Sequence, residues 1–178
     1  MHEEIVIAGF GGQGVMSMGR LLAYIGMIEG KNVSWFPSYG PEMRGGTANC
    51  TVIISSEPIG SPVTSSPTTA IVMNRPSLDK FEPLLKSGGY LFINSSLVDR
   101  EPERKDIKIY KVPANEIAEE IGNSKVANMV VVGAYIGVTK TFPKEVAIEA
   151  MRSSLKKVGE EILDLNEKAI ERGYELFK

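Results

Sequence analysis

Ile5-Val6-Ile7-Ala8-Gly9-Phe10-Gly11-Gly12-Gln13-Gly14-Val15 is the stretch on which the fold turns. A short apolar run breaks into four glycines within six positions, and apolar residues at helical spacing take over from Val15. The pattern predicts a strand, a tight turn and a helix start. Gly9, Gly11 and Gly14 have the G-x-G-x-x-G spacing. Without side chains, such a turn is tight and lets an anionic ligand approach a helix N-terminus.

A dinucleotide site also needs an acid about 20 residues further on, at the tip of the second strand, to bind the ribose hydroxyls. Here the second strand, predicted over residues 32–36, runs into Pro37-Ser38-Tyr39-Gly40 with no Asp or Glu at its end. The first acid, Glu42, lies inside a second glycine-rich segment, Tyr39-Gly40-Pro41-Glu42-Met43-Arg44-Gly45-Gly46. The turn is present and its usual partner is missing. A self-sufficient nucleotide-binding domain of the Rossmann type therefore stands as the alternative reading.

With 178 residues and 43% hydrophobic content, the chain is the size of a single domain, 1–178, with a sizeable core. Twenty basic residues against 22 acidic ones leave a formal charge of −2 and no basic block, which argues against a nucleic-acid partner. The longest near-continuous apolar run, residues 129–138, is too short to cross a bilayer. The opening Met1-His2-Glu3-Glu4 lacks the basic region of a secretory leader. The expectation is a soluble cytoplasmic protein without a membrane partner. Cys50 is the only cysteine and His2 the only histidine, so an internal disulfide, an iron-sulfur cluster, a structural zinc or a histidine-based triad is beyond this chain's own means. Cys50, within an apolar β-like run, reads as a small buried strand residue.

Along the chain, residues 15–29 carry Val15, Met18, Leu21, Leu22, Ile25 and Ile28 at helical spacing, with Gly30 as a stop. Met16, Met18 and Met27 read as core or subunit-contact residues. Strands are expected at 47–55, 70–73, 90–93 and 107–112. Helices are expected at 76–86, 113–121 and 126–138, the last apolar nearly all round with Asn128 as its polar exception. Another helix begins at Pro143, with an apolar stripe reaching Val158, and an amphipathic helix closes the chain over 160–176. Residues 57–67, with three prolines, read as an irregular connection of functional or interfacial use. The fold class this predicts is α/β: a three-layer α/β/α domain with a central, largely parallel or mixed sheet and a helical C-terminal part.

In an open α/β sheet, loops at neighbouring carboxyl strand ends converge on one crevice, and these two loops follow the first two strands. The two glycine-rich loops therefore belong to one candidate site. Gln13 has an amide to offer, Glu42 and Arg44 a charge pair or an anion contact, and Gly45-Gly46 a close backbone approach. The competing reading is a solvated turn whose ion pair is worth little. The density of glycines favours a site, because such loops are entropically costly unless close approach requires them.

Gly11-Gly12-Gln13-Gly14-Val15, followed by Ser38-Tyr39-Gly40-Pro41-Glu42-Met43-Arg44-Gly45-Gly46-Thr47-Ala48-Asn49, closely resembles the gamma subunit of the 2-oxoacid:ferredoxin oxidoreductases. The resemblance extends to Asn128 in Lys125-Val126-Ala127-Asn128-Met129 and to the Gly133 helix after it. It is nearest to the separate gamma subunits of the 2-oxoglutarate or branched-chain 2-oxoacid enzymes. The resemblance implies an enzyme that oxidatively decarboxylates a 2-oxoacid to an acyl-CoA and reduces ferredoxin. It also implies alpha, beta and delta-type partner subunits, with thiamine diphosphate, magnesium and iron-sulfur clusters held outside this chain and no cofactor bound by it alone. Residues carried over as facing the thiamine and coenzyme A site are Gly11, Gly12, Gln13, Gly14, Ser38, Tyr39, Gly40, Pro41, Glu42, Arg44, Gly45, Gly46, Asn49 and Asn128. It supplies no catalytic acid or base and no metal ligand.

Overall fold

The computed structural model describes residues 1–38 and 47–178. Six strands form one sheet: β1 (His2–Phe10), β2 (Asn32–Ser38), β3 (Thr47–Ser55), β4 (Thr69–Val72), β5 (Tyr90–Asn94) and β6 (Lys108–Val112). Their spatial order is β2-β3-β1-β4-β5-β6. β1, β4, β5 and β6 run parallel, whereas β3 is antiparallel to β1 and to β2. The sheet is thus mixed, with a parallel half built from the later part of the chain.

The helices are α1 (Val15–Ile28), α2 (Arg75–Phe81), α3 (Ala114–Ile121), α4 (Ala127–Thr139), α5 (Lys144–Ser154) and α6 (Glu160–Glu175). Strand side chains alternate between faces. Ile5, Ile7, Cys50, Val52, Ile54 and Phe92 therefore meet α1, α3, α4, α5 and α6 on one face, while Val6, Ala8, Ala70, Leu91 and Ile93 meet α2 on the other. Both faces are covered, unequally. α4 is apolar on every side because it is sandwiched between the sheet and α6. Backbones make that contact. A Cβ on Gly133 would collide with the Ile170 carbonyl, and one on Gly173 would stand 2.9 Å from Ala134 N as well as overlapping the Val130 carbonyl.

Some boundaries differ from the sequence reading, each for a local reason. The helix expected over 76–86 stops at Phe81 and tightens into a 3-10 turn over Glu82–Leu84, because Pro83 has no N–H and its ring obstructs the preceding turn. The stripe expected to reach Val158 ends with α5 at Ser154, as the chain turns back to lay α6 along α4; Val158 is exposed. Ile28, expected in the core stripe of α1, is exposed with Met27 at the helix end, whereas Met18 is fully buried. The proline-rich connection is irregular, as expected. It packs on the amino end of β1, where Thr64 Oγ1 donates to Glu4 Oε2 at 2.5 Å and Thr68 Oγ1 donates to Glu3 Oε2 at 3.0 Å.

Candidate functional site

The glycine turn joins β1 to α1 at the carboxyl end of the parallel strands. Gln13 fastens it. Its Oε1 accepts the Phe10 N–H at 2.6 Å, and its Nε2 donates to the Met73 carbonyl at 3.2 Å, just beyond the end of β4. The amide expected to serve a ligand is therefore mostly committed to holding the turn, with one N–H left over. Gly9 makes room for this clamp, since a Cβ there would lie 2.6 Å from Gln13 Oε1 and 2.8 Å from Met73 Cβ.

Gly12 and Gly14 both have positive φ, 90° and 74°. Around Gly12 the space is open, so its need for glycine is conformational. Gly14 has two reasons: a Cβ would stand 2.8 Å from Asn128 Cγ and closer still to its Nδ2. Gly14 is also the N-cap of α1 and offers no side-chain cap, and the first backbone bond of the helix is Met18 N–H to the Gly14 carbonyl at 3.0 Å. The amides of Val15, Met16 and Ser17 are left without helical acceptors, and they carry the positive end of the helix dipole.

Around this end lies a cleft of about 380 Å³, within the roughly 300–1,000 Å³ of small-molecule sites. Gly12, Gln13 and Gly14 form one wall, Asn128 and Lys125 another, and Asn115 at the start of α3 a third. Neither Asp nor Glu is among the described residues lining it. The surroundings favour an anionic, acceptor-rich ligand.

The sequence-predicted residues separate into three groups. Gly12, Gln13, Gly14 and Asn128 meet at the cleft, with Gly11 exposed at the turn beside them. Ser38 and Asn49 pair with each other, and Asn49 pairs with Ala8 on its other side. By strand alternation from Cys50, Asn49 faces the α2 side of the sheet, opposite α1 and α4. Tyr39, Gly40, Pro41, Glu42, Arg44, Gly45 and Gly46 lie outside the described residues. The loops were expected to follow neighbouring strands. Instead β3 stands between β1 and β2, and β3 begins at the end of the sheet where the glycine turn leaves β1, because Phe10 pairs with Thr47. This order also moves the tip of β2 one strand away from the glycine turn, so a ribose acid there would be displaced by about 4.8 Å relative to a dinucleotide fold.

Sequence reasoning missed Asn94, Ser96 and Asn115. Asn94, fully buried at the end of β5, donates from Nδ2 to Asn115 Oδ1 at 2.8 Å, and Ser96 Oγ accepts the Asn115 N–H at 3.0 Å. The available signal was an Asn closing an otherwise apolar strand. Cys50 behaves as expected: it is buried, and desolvation pushes its thiol up to about 11, against a smaller opposing contact from Trp35. Among the described residues no His, Cys, Asp and Glu cluster has the makings of a metal site, and no helix is long and apolar enough to cross a membrane.

The pyruvate ferredoxin/flavodoxin oxidoreductase family matches residues 4–176. The chain is 37% identical over 182 residues to the 2-oxoglutarate synthase subunit KorC of Methanocaldococcus jannaschii, covering 100% of this chain and 95% of that one. It is 39% identical over 173 residues to the ketoisovalerate oxidoreductase subunit VorA of Methanothermobacter marburgensis, covering 96% of this chain but 35% of that protein. The chain thus spans about a third of the length of the VorA relatives. A solved keto/oxoacid ferredoxin oxidoreductase gamma subunit from Geobacter sulfurreducens is 32% identical with a TM-score of 0.86, over 98% of this chain and 95% of that chain. A 2-oxoglutarate:ferredoxin oxidoreductase from Magnetococcus marinus, with 2-oxoglutarate, coenzyme A and succinyl-CoA bound, is 25% identical with a TM-score of 0.87, over 97% of this chain and 30% of that chain. On its glycine turn, its mixed sheet and this match along nearly its whole length, the chain belongs to the pyruvate ferredoxin/flavodoxin oxidoreductase family and has the fold of its gamma subunits.

Proposed function

We propose that this chain is the gamma subunit of a multi-subunit, cytoplasmic 2-oxoacid:ferredoxin oxidoreductase that converts a 2-oxoacid and coenzyme A to an acyl-CoA, carbon dioxide and reduced ferredoxin. The substrate is 2-oxoglutarate, with a branched-chain 2-oxoacid as the next choice. The KorC relative, matched end to end, supports that order. Thiamine diphosphate, with its magnesium, supplies the carbanion chemistry from partner subunits, and iron-sulfur clusters there carry the electrons. This chain's own residues bind and orient. The observation that carries the reading is the cleft between Gly14 and Asn128, lined by donors and free of carboxylates among the described residues. It fits an anionic, acceptor-rich substrate, and of the two anionic substrates of this reaction, the 2-oxoacid and coenzyme A, we assign it to coenzyme A, whose phosphates carry acceptor oxygens only. Ser38 and Asn49 lie at the same end of the sheet but on its other face, so their place is with the partner subunits that share the site.

The surface also fits assembly. Met27 is 60% exposed and Phe36 46% exposed, and Tyr24, Met27 and Leu155 border an apolar groove between α1 and α5. Exposed apolar area of this kind marks interfaces. The test is recovery under gentle conditions from the native cell. Tagged chain is expected to bring down thiamine-binding and ferredoxin-like chains, whereas recovery of a homo-oligomer alone would count against the reading.

A further inference from the structure

We infer that the free edge of β2 pairs antiparallel with β2 of a second copy of this chain, about a twofold axis at Trp35, so that the two sheets run on as one.

β2 closes the sheet at one side, with β3 as its sole strand neighbour among the described residues. The Ser56 N–H donates to the Met1 carbonyl at 3.0 Å, so along β3 the even-numbered residues turn their backbone groups to β1 and the odd-numbered ones turn theirs to β2. The register then gives Asn32, Ser34, Phe36 and Ser38 the bonds to β3. Val33, Trp35 and Pro37 face outward, and an outward position is where a strand tolerates proline. Val33 and Trp35 each present an N–H and a carbonyl without a partner among the described residues.

A bare edge recruits other strands, and sheets guard theirs with charge. The opposite edge, β6, carries Lys108 and Lys111, and the ring of Phe177 packs on its Tyr110. β2 has no charged residue along its whole length. Apolar side chains flank it instead: Tyr24 and Met27 border a groove with Trp35 on one face, and Phe36 stands on the other. With Ile28 beside Met27, these four side chains leave about 400 Å² exposed, roughly half of the ~800 Å² per partner that a stable interface buries.

A second copy fits this edge because the outward groups complete one another. With Trp35, the middle residue of β2, on the axis, each Trp35 N–H meets the other Trp35 carbonyl, and each Val33 N–H meets the other Pro37 carbonyl. Both pairings are reciprocal. Only the Val33 carbonyls lack a donor, since Pro37 has no N–H. An edge without charge also opposes its own image without repulsion.

In this register Ser34 of one copy stands directly opposite Phe36 of the other, in a non-hydrogen-bonded pair whose Cα atoms lie about 4.5 Å apart, within disulfide reach. The test is a Ser34→Cys, Phe36→Cys double variant, isolated through a tag with whatever companions it carries and oxidised mildly. A non-reducing gel should show most of this chain at twice its mass, a shift that no bridge within one copy produces. The parent, whose Cys50 is buried, should show none. The parent chain should also sediment as a dimer, and Phe36→Glu, which sets like charges near the axis, should raise its dissociation constant about ten-fold or more. A double variant that stays at monomer mass or bridges to a different chain, or a parent that sediments as a monomer, overturns the inference. None of these readouts involves turnover or a named companion, so the edge pairing stands or falls apart from the oxidoreductase reading.

Discussion

The side chain of Asn128 rests on the bare Cα of Gly14, 114 positions earlier in the chain: a methyl group added to Gly14 would stand 2.8 Å from Asn128 Cγ. Gly14→Ala therefore meets both a side-chain clash and a positive φ of 74°. Strain and overpacking each cost about 1–3 kcal/mol. The variant should unfold at lower urea and bind coenzyme A poorly in the complex. Adding Asn128→Ala should recover part of the stability lost, a non-additivity that a double-mutant cycle reads directly. Strictly additive losses would show that the contact carries no energy.

Gln13 should act as a clamp more than as a ligand contact. Gln13→Ala removes its bonds to Phe10 N–H and the Met73 carbonyl, which should cost about 1–2 kcal/mol and speed amide exchange at Phe10. Unchanged exchange there would mean the turn stands without it.

The α4–α6 contact should tolerate no methyl group. Gly173→Ala places a Cβ against the Val130 carbonyl and 2.9 Å from Ala134 N, where backbone has nowhere to yield. A loss of about 3 kcal/mol or more is expected in chemical denaturation. Gly159→Ala, with nothing within 4 Å, is the matched control and should be close to neutral.

Glu82 should make stability fall in acid. Burial opposes its ionisation, but hydrogen bonds from the Arg104 N–H, the Arg100 guanidinium and the Glu103 N–H outweigh that and hold its carboxyl below its ordinary value of 4.5. A carboxyl whose folded pKa is depressed contributes stability above its unfolded pKa and loses it as pH falls through the folded one. Urea midpoints should therefore drop below pH 4.5, and Glu82→Gln, less stable at pH 7, should show a shallower drop. Parallel curves for the two proteins would assign the acid lability elsewhere.

Cys50 should resist alkylation in the folded chain. Its thiol, pushed up to about 11 by burial, presents almost no thiolate at pH 8. Iodoacetamide should label it only in denaturant; stoichiometric labelling of the native chain would mean that β3 opens readily.

Much of the fold could be read from local pattern. The glycines after Ile5–Ala8 marked β1 and its turn, and the spacing of Val15, Met18, Leu22 and Ile25 marked the buried side of α1. The strand order could not be read this way, because insertion of β3 between β1 and β2 is a pairing across distant residues that leaves no local periodicity. Pro83 was a visible helix breaker inside the stretch expected to be helical. Of the site, Gly14 and Asn128 were legible as motif positions, but their contact was not. Asn49 was carried over as a site residue, although the alternation of Cys50, Val52 and Ile54 puts it on the opposite face of the sheet. The Asn94–Asn115 bond joins residues on different elements, and neither carries a motif.

The central claim is that this chain serves a reaction whose cofactors other subunits hold. Its most direct test is 2-oxoglutarate- and coenzyme A-dependent ferredoxin reduction, measured on the complex isolated through a tag on this chain and on the chain freed of companions. The account predicts turnover by the complex, sensitive to Gly14→Ala, and none by the isolated chain. Turnover by the companion-free chain, or a complex indifferent to coenzyme A, would contradict it.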